Sequence, residues 1–332
     1  MVLFFKEKYN KLYIFIIDFI NYKNKELTLG LLVVGSVALD SVATPFDKVE
    51  DALGGSATFI SLASSYFGGP VYLVGTVGED FPKKYINLLA KHEIDLEGLQ
   101  IVPGKTFRWS GKYHYDLNVR DTLLTELNVF EKFDPVIPEK FRKAQFVCLG
   151  NIDPVLQMKV LDQMINPQFV VCDTMNYWIE GRKPELIKLL KRVSVLIIND
   201  SEARLLADEP NLVKAAKMIR AMGPQILIIK KGEHGALLFM ENTVFSAPAY
   251  PMEMIFDPTG AGDTFAGGFI GYLHKTNDLN PENMKRAVIY GSAMASFCVE
   301  QFSTGGLEQL SQVKIKERFR EFLKLSRFDE KD

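Results

Sequence analysis

Short apolar runs recur along the chain and alternate with longer stretches in which apolar residues have helical spacing. The runs are apolar at every position and lie at residues 31–34, 71–74, 146–149, 169–172, 195–198 and 226–229. Such a run predicts a strand buried on both faces, as in a parallel sheet covered by helices. The other stretches predict helices over 56–67, 81–91, 154–164, about 185–191, 281–299 and 313–325. The pattern predicts an α/β fold with a mostly parallel central sheet between two helical layers.

One segment has a different period. From Trp109 to Val119 the odd positions are apolar or glycine and the even positions are polar, and residues 122–129 alternate again. A period of two predicts two half-exposed strands of a β-hairpin, and residues 37–49 offer a further strand. A small sheet beside an α/β unit predicts a lid that excludes water from a site. We assign this lid to about 37–53 and 105–130; an ordinary edge extension is the alternative.

The segment Asp257–Phe265 combines a turn of small residues with a carboxylate at the start of a predicted helix. The first backbone N–H groups of a helix lack intrahelical partners, and the helix dipole adds partial positive charge there. This end is therefore an anion site, and phosphate is a common biological anion. Asp263 falls in the first turn, beside any bound phosphoryl group. The segment predicts a phosphotransferase site; a helix-start Asp that only interacts with the dipole is the alternative.

Two familiar nucleotide-binding loops are missing from the sequence. Residues 30–36 lack the Lys that a Walker A loop requires, and no Gly-x-Gly-x-x-Gly opens a helix after the first strand. The four histidines have no metal-ligand spacing. The chemistry of the chain therefore depends on other motifs.

Composition excludes several partners. The chain has 332 residues, 47% of them hydrophobic, and a net charge of -2, so no basic field favours nucleic acid or an anionic membrane. Its three cysteines are far apart, which predicts buried thiols in a reducing cytoplasm. The apolar run at 12–17 is shorter than the ~20 residues that span a bilayer. We interpret residues 1–28 as an extension outside the core domain, 29–325 as one domain, and 326–332 as a polar tail.

Further motifs follow one another in a characteristic order. They are Gly35-Ser36 and Asp40, then 54–57, 75–80, 199–202, 230–235 and 257–265. In this order the chain resembles the ribokinase-like (PfkB-type) carbohydrate and nucleoside kinases, from residue 31 to about 310. The resemblance implies a ribokinase-like three-layer α/β/α sandwich with a small β-sheet lid. It also implies an ATP-dependent kinase that phosphorylates a hydroxyl of a small sugar or nucleoside, with Mg²⁺ and, in some relatives, K⁺.

The resemblance assigns roles to individual residues. It makes Asp263 the base that accepts the hydroxyl proton, and Gly260, Ala261 and Gly262 the anion hole. The acceptor-binding positions are Asp40, Gly54 and Gly55. The nucleotide-binding positions are Asn199, Glu202, Lys230 and Gly232, with Glu202 reaching Mg²⁺ through water and Asp257 near a monovalent cation. Helix capping is the alternative for Asn199 and Glu202, and a plain hairpin for Lys230 and Gly232.

The acceptor site departs from the usual pattern of the family. Many relatives have Asn where this chain has Phe59, so a polar sugar contact is missing or supplied elsewhere. The substitute candidates are Arg108, Lys112, His114 and Asn118. The aromatic residues Trp109, Tyr113 and Tyr115 either stack on a nucleobase, form the apolar face of the lid, or contact a second subunit, because lid strands are shared in some family dimers.

Two other functions stay open at this point. One is a non-catalytic regulatory protein that binds a sugar or nucleoside on the same fold; the presence of Asp263 and the glycines argues against it. The other is a kinase for vitamin precursors such as pyrimidine or pyridoxal alcohols, a class of relatives that generally lacks a lid hairpin.

Overall fold

The computed structural model describes residues 30–241 and 243–326. The predictions for residues 1–28 and for the tail beyond Ser326 lie outside these residues. Within the two ranges, no helix combines the length and the apolar character that a membrane crossing requires.

Strands make up two sheets. In chain order they are β1 (Leu31–Val34), β2 (Ala38–Ala43), β3 (Lys48–Gly54), β4 (Val71–Gly78), β5 (Ile94–Val102), β6 (Phe107–Tyr113), β7 (Arg120–Glu126), β8 (Phe146–Leu149), β9 (Phe169–Asp173), β10 (Val195–Asn199), β11 (Ile226–Lys230), β12 (Ala236–Met240) and β13 (Thr243–Ala247). The central sheet has nine strands in the order β13-β12-β11-β10-β9-β8-β1-β4-β5, and only β12 and β13 run antiparallel to their neighbours. This mostly parallel sheet confirms the predicted fold class.

Helices cover both faces of the central sheet. They are α1 (Ser56–Ser65), α2 (Lys83–Lys91), α3 (Pro154–Gln163), α4 (Asn176–Gly181), α5 (Lys183–Leu190), α6 (Asp200–Ala207), α7 (Leu212–Ala221), α8 (Ala261–Thr276), α9 (Pro281–Cys298) and α10 (Gln312–Leu325). Alternate residues of one strand enter different cores: Leu31 and Val33 pack with α1, α8 and α9, and Leu32 with α3, α5 and α7. Burial on both faces explains why the strands are continuous apolar runs.

The small sheet has the order β3-β2-β6-β7 and contains the predicted hairpin, β6 and β7. The first hairpin strand ends at Tyr113, so the prediction that it continues to Val119 is wrong. The Asp116 carboxylate accepts the backbone N–H of Asn118 at 2.9 Å, and its carbonyl accepts the N–H of Val119 at 2.9 Å. An Asp that bonds its own backbone two residues on forms a turn. Tyr115 therefore lies in the turn and is 88% exposed.

The small sheet is attached at the carboxyl ends of the central strands. Its first strand, β2, follows shortly after β1. Asp80, just beyond β4, accepts hydrogen bonds from the Thr106 backbone N–H at 2.7 Å and from Arg108 at 2.9 Å. Arg108 also pairs with Asp51 of the small sheet. Open α/β sheets bind ligands at the carboxyl ends of their strands, so the small sheet lies beside the expected site.

Candidate active site

The turn before α8 has the shape that the sequence predicted for an anion site. Gly260 is the N-cap of α8 and has a φ of 76°, in the left-handed region that favours glycine. Its carbonyl accepts a hydrogen bond from the Thr264 N–H at 2.8 Å, and the Ala261 N–H donates to the Pro258 carbonyl at 3.2 Å. Within the described chain, the N–H groups of Gly262 and Asp263 have no partner. The turn therefore presents free donors at the positive end of a helix.

Phe59 lies directly beneath this turn. The side chain is 1% exposed, and a Cβ on Gly260 would collide with its ring. The residue that replaces the usual Asn of the family is thus part of the packing that supports the turn, and its ring has no polar atom to offer a sugar.

Asp263 lies in the first turn of α8, facing other carboxylates. Burial raises the pKa of Asp263 to about 7, and the negative charge of Asp173 acts in the same direction, while Lys230 and Arg120 oppose them. A carboxyl group with a pKa near the working pH is suited to take up a proton.

Lys230, the last residue of β11, lies between the turn before α8 and the end of β9. Its Nζ lies 3.8 Å from Asp173 Oδ2, and a Cβ on Gly262 would be 2.7 Å from Nζ, so glycine leaves room for the ammonium group. Burial alone lowers the pKa of Lys230, but the carboxylates of Asp173, Glu202 and Asp263 raise it above its ordinary value. The ammonium group is therefore charged and lies against the anion turn.

Asn199 and Glu202 form a complete capping box at the start of α6. Asn199 Oδ1 accepts the Glu202 N–H at 2.8 Å, and Glu202 Oε2 accepts the Asn199 N–H at 2.8 Å. The capping alternative is thus observed. Burial raises the pKa of Glu202 to about 7, with Asp173 acting in the same direction. In the central sheet Asn199 is paired with Lys230, which brings these predicted nucleotide-binding residues together.

Asp40, Gly54 and Gly55 meet at the junction of the two sheets. Asp40 is 8% exposed, and a Cβ on Gly54 would collide with its carboxylate. Gly55 has a φ of 93° and is the N-cap of α1. Burial raises the pKa of Asp40 to about 7, and the charges of Asp257 and Asp263 add to the effect. The charge of the predicted base thus acts on the predicted acceptor carboxylate.

Asp257 is the first residue of the segment Asp257–Phe265, and its buried carboxylate holds that segment in place. It is 1% exposed, and its oxygens accept the N–H groups of Thr259 at 2.8 Å and Ser303 at 3.0 Å. Burial raises its pKa. The carboxylate thus connects the segment to the loop after α9. Binding of a monovalent cation near Asp257 stays a prediction.

Of the hairpin residues that the sequence offered for a sugar contact, two are engaged elsewhere and one approaches the nucleotide-binding turn. Arg108 is engaged by Asp51 and Asp80, and His114 bonds Asp121 at 2.9 Å on an exposed surface. Asn118 does approach the site: its Oδ1 would be 2.5 Å from a Cβ on Gly232, the predicted nucleotide-binding turn.

Tyr113 and Trp109 lie on the hairpin face that meets the turn. Tyr113 is buried, and its hydroxyl accepts a hydrogen bond from Thr259 Oγ1 at 3.1 Å, one residue before Gly260. Trp109 is paired with Asp40 in the small sheet, so both side chains share one face. Arg120 stacks over Trp109, with its guanidinium carbon 5.2 Å from the ring centroid.

The carboxylate oxygens of this site are ligands suited to a hard metal cation that keeps much of its hydration shell. Among the described residues, no three His, Cys, Asp or Glu side chains come together as a metal cage. Mg²⁺ is commonly held by one or two carboxylates together with phosphate oxygens and water. Asp173, Glu202 and Asp263 are carboxylates of that kind, and the charge of Asp173 raises the pKa of the other two.

Comparisons with known proteins assign the chain to a family. Residues 18–310 match the model of the pfkB family of carbohydrate kinases. The cytidine kinase of Thermococcus kodakarensis is 32% identical over 250 residues, which cover 74% of this chain and 88% of that protein. The chain therefore belongs to the pfkB family of carbohydrate kinases, and it is a phosphotransferase that acts on a hydroxyl group of a sugar or nucleoside. The non-catalytic binding protein is thereby set aside.

Solved structures agree with the fold. The nucleoside kinase of Methanocaldococcus jannaschii, an archaeal member of the ribokinase family, matches with a TM-score of 0.71 at 20% identity, covering 88% of this chain and 98% of that one. A ribokinase II of E. coli in complex with ATP and Mg²⁺ matches with a TM-score of 0.73 at 20% identity, covering 89% and 99%. These matches confirm the three-layer architecture with its small second sheet.

Two residues near the site, Asp173 and Arg120, were not among those predicted from the sequence. Asp173 ends β9, and an acid directly after a buried parallel strand is a signal that could have found it. Arg120 begins β7, but it follows a turn whose position the alternation misplaced, so its face could not be predicted.

Proposed function

We propose that this chain is an ATP-dependent nucleoside kinase whose reaction centre is the turn at Gly260–Asp263. One observation carries the proposal: the ammonium group of Lys230 lies against the turn that presents free backbone donors, and Asp263 is in the first helical turn directly after it. This arrangement combines a base, an anion site and a fixed cation. Phosphoryl transfer depends mostly on such positioning and charge stabilisation.

In the proposed reaction the acceptor hydroxyl oxygen attacks the γ-phosphorus of ATP. A new O–P bond forms while the bond between the γ-phosphorus and the bridging oxygen breaks. The bridging oxygen leaves as part of ADP. The hydroxyl proton moves to the Asp263 carboxylate. The turn of Gly260, Ala261 and Gly262 stabilises the charge on the transferred group, mainly through the N–H groups of Gly262 and Asp263.

ATP and Mg²⁺ follow from membership of the family. We place the phosphates between the turn and the ends of β10 and β11, where Asn199, Glu202, Lys230 and Gly232 lie. Mg²⁺, when bound, neutralises phosphate charge, and Asp173 and Glu202 are the carboxylates suited to orient its water shell. K⁺ stays a secondary proposal, near the loop that Asp257 ties together.

A nucleoside is the acceptor that we favour over a free sugar. The relative with 32% identity is named a cytidine kinase. In this chain the partly exposed Trp109 ring shares a sheet face with Asp40, which suits a ligand with a ribose at one end and an aromatic base at the other. A shared-lid homodimer and a cytoplasmic location, which the buried free cysteines favour, stay parts of the same proposal.

A panel assay tests the proposal. Cytidine, uridine, adenosine, inosine, ribose, fructose, a hydroxymethylpyrimidine and pyridoxal are each incubated with ATP and Mg²⁺, and ADP release and phosphorylated product are measured. We expect the highest kcat/KM with a nucleoside, and Asp263→Asn to lower kcat by about 10²–10⁴-fold while ATP still binds. A vitamin precursor or a free sugar as the best acceptor would contradict the nucleoside assignment. Near wild-type turnover by Asp263→Asn would contradict the base.

A further inference from the structure

Ser303, in the loop after α9, has a backbone conformation that is unusual for its residue type. Its φ of 57° lies in the left-handed region, where a residue with a Cβ is disfavoured. The other non-glycine residues with a positive φ within 30–241 and 243–326 are Asn, Asp or Glu. Strained residues persist where the surrounding contacts over-determine them, and they cluster at functional sites. The contacts of Ser303 therefore indicate why this conformation is kept.

Ser303 connects two parts of the site. Its backbone N–H donates to Asp257 Oδ2 at 3.0 Å, and Asp257 begins the segment that contains the anion turn. Its hydroxyl donates to the Leu53 carbonyl at 2.5 Å. Leu53 is 1% exposed and lies in β3, an edge strand of the small sheet, whose outer carbonyls have no partner within the sheet. One residue thus bonds the core segment through its backbone and the small sheet through its side chain.

The carbonyl that Ser303 bonds lies directly before the acceptor-binding glycines. A Cβ on Gly54 would collide with the Asp40 carboxylate, so the backbone of β3 packs closely against that carboxylate. Burial raises the pKa of Asp40, and a hydrogen bond from the Gly55 N–H lowers it. A displacement of Leu53 would therefore move the backbone that packs against the Asp40 carboxylate and bonds it.

A second contact lies on the other side of the strand that carries Asp40. That strand, β2, lies between β3 and β6 in the small sheet. On the β6 side, Thr259 Oγ1 donates to the Tyr113 hydroxyl at 3.1 Å, and on the β3 side Ser303 makes the bond. The Thr259 N–H also donates to Asp257 Oδ1 at 2.8 Å. Both contacts thus converge on one short stretch of the core and flank the acceptor strand.

We propose that Ser303 is a positioning residue that fixes the acceptor carboxylate Asp40 relative to the base Asp263. This inference rests on the proposed function above. The hydroxyl holds β3 at Leu53, and the backbone N–H holds the segment that continues into the anion turn. The acceptor is then held in line with the base, and a small misplacement lowers the rate. The nucleotide-binding residues at the ends of β10 and β11 belong to the central sheet, so ATP binding does not depend on Ser303.

The competing explanation is structural: the hydroxyl only satisfies a buried carbonyl at the edge of a sheet. Such a role predicts a lower thermal stability when the hydroxyl is removed, with unchanged kinetic constants of the folded chain. Two variants separate the explanations. Ser303→Gly removes the hydroxyl but relieves the left-handed backbone, so the contact is lost while stability is kept. Ser303→Ala removes the hydroxyl and retains the disfavoured backbone.

The experiment compares both variants with the wild type and the control Asn277→Gly in the full chain. Asn277 follows the far end of α8, has a φ of 47° and is exposed, so the control relieves the same backbone conformation away from the site. Steady-state kinetics give kcat and the KM values of ATP and of the best acceptor in the panel. Thermal unfolding measures stability, and hydrogen–deuterium exchange is followed over residues 48–56, which contain β3.

We expect Ser303→Gly and Ser303→Ala to lower kcat/KM for the acceptor by about tenfold or more, with the KM of ATP unchanged. Residues 48–56 should exchange faster in both variants, and only Ser303→Ala should unfold at a lower temperature. Asn277→Gly should match the wild type in kinetics and exchange.

Three results would overturn the proposal: an acceptor kcat/KM of Ser303→Gly close to wild type, an equal fall in Asn277→Gly, or an equal rise in the KM of ATP. If the wild type phosphorylates no nucleoside, the proposed function fails, but the exchange measurement still decides the role of Ser303. Unchanged exchange of residues 48–56 in Ser303→Gly would then contradict it.

Discussion

The two halves of the site are built in different ways. On the core side, the anion turn begins a helix of sixteen residues, and Lys230 ends a buried strand of the central sheet. On the lid side, every residue of β7 is exposed, and the hairpin meets the turn through the hydrogen bond of Tyr113. The core half is preorganised by packing, whereas the edge strand β7 of the lid half is exposed along its whole length. Binding groups with low local stability are the ones that can open and close.

Preorganisation of the core half has a thermodynamic cost. Burial raises the pKa of Asp263 and of Glu202 to about 7, so the folded chain holds carboxylates that would be more stable in water. Active sites commonly retain such unfavourable groups because the reaction needs them. In the lid half Asp40 has the same cost, whereas every residue of the edge strand β7 is exposed.

The largest effect on the core half should come from Gly260→Ala. The φ of 76° disfavours any residue with a Cβ by about 1–3 kcal/mol, and that Cβ would also collide with Phe59. We expect the turn to shift and kcat to fall by about 10²–10³-fold. The measurement is kcat with the best acceptor, together with thermal unfolding.

The control for this change is Gly181→Ala. Gly181 ends α4 with no atom within 4 Å of an added Cβ, so this variant should keep its activity and stability. If Gly260→Ala retains near wild-type kcat, the geometry of the turn at Gly260 is not what preorganises the core half.

Sequence patterns predicted the core half better than the lid half, for a physical reason. Runs such as 195–198 are apolar because both faces of a parallel strand are buried, so the pattern and the burial have the same cause. The hairpin is exposed on one side, and its turn is set by the Asp116 carboxylate rather than by alternation. Residues beyond Tyr113 were therefore assigned to the wrong element.

The candidate site shows the same limit. Asp40, Gly54 and Gly55 were found because they match, in order, the motifs of the family that the chain resembles, and the structure brings them together. The pairing of Lys230 with Asp173 joins two strands that are far apart in sequence, and no local pattern encodes it. The position of Arg120 depends on how the small sheet lies over the turn, which is a tertiary property.

An effect of intermediate size is expected on the free energy of unfolding, because the buried carboxyl group of Asp263 destabilises the folded chain at high pH. Because the folded pKa of Asp263 is about 7 and its ordinary value is 3.8, the folded chain keeps a proton that the unfolded chain releases. Its contribution to stability is therefore present below about pH 4 and is lost as the pH rises to about 7. Asp263→Asn cannot titrate, so it should be more stable than the wild type at pH 8, by about 2–4 kcal/mol.

Chemical unfolding of wild type and Asp263→Asn at pH 5.5 and pH 8 measures this difference. The gain should be larger at pH 8. The control is Glu180→Gln, which changes an exposed carboxylate of α4 and should leave stability alike at both pH values. A gain of Asp263→Asn that is equal at both pH values would mean that Asp263 is ionised throughout this range.

The smallest effect should come from the contact between the two halves. Tyr113→Phe removes the hydroxyl that accepts a hydrogen bond from Thr259 Oγ1 at 3.1 Å, without changing the ring. A buried hydrogen bond contributes about 1 kcal/mol, so we expect the acceptor KM to rise by about fivefold while kcat changes little. Tyr115→Phe is the matched control, because the Tyr115 side chain is 88% exposed in the turn of the hairpin. Equal KM values in the two variants would mean that this contact does not hold the lid half against the core, and that closure depends on the ligands alone.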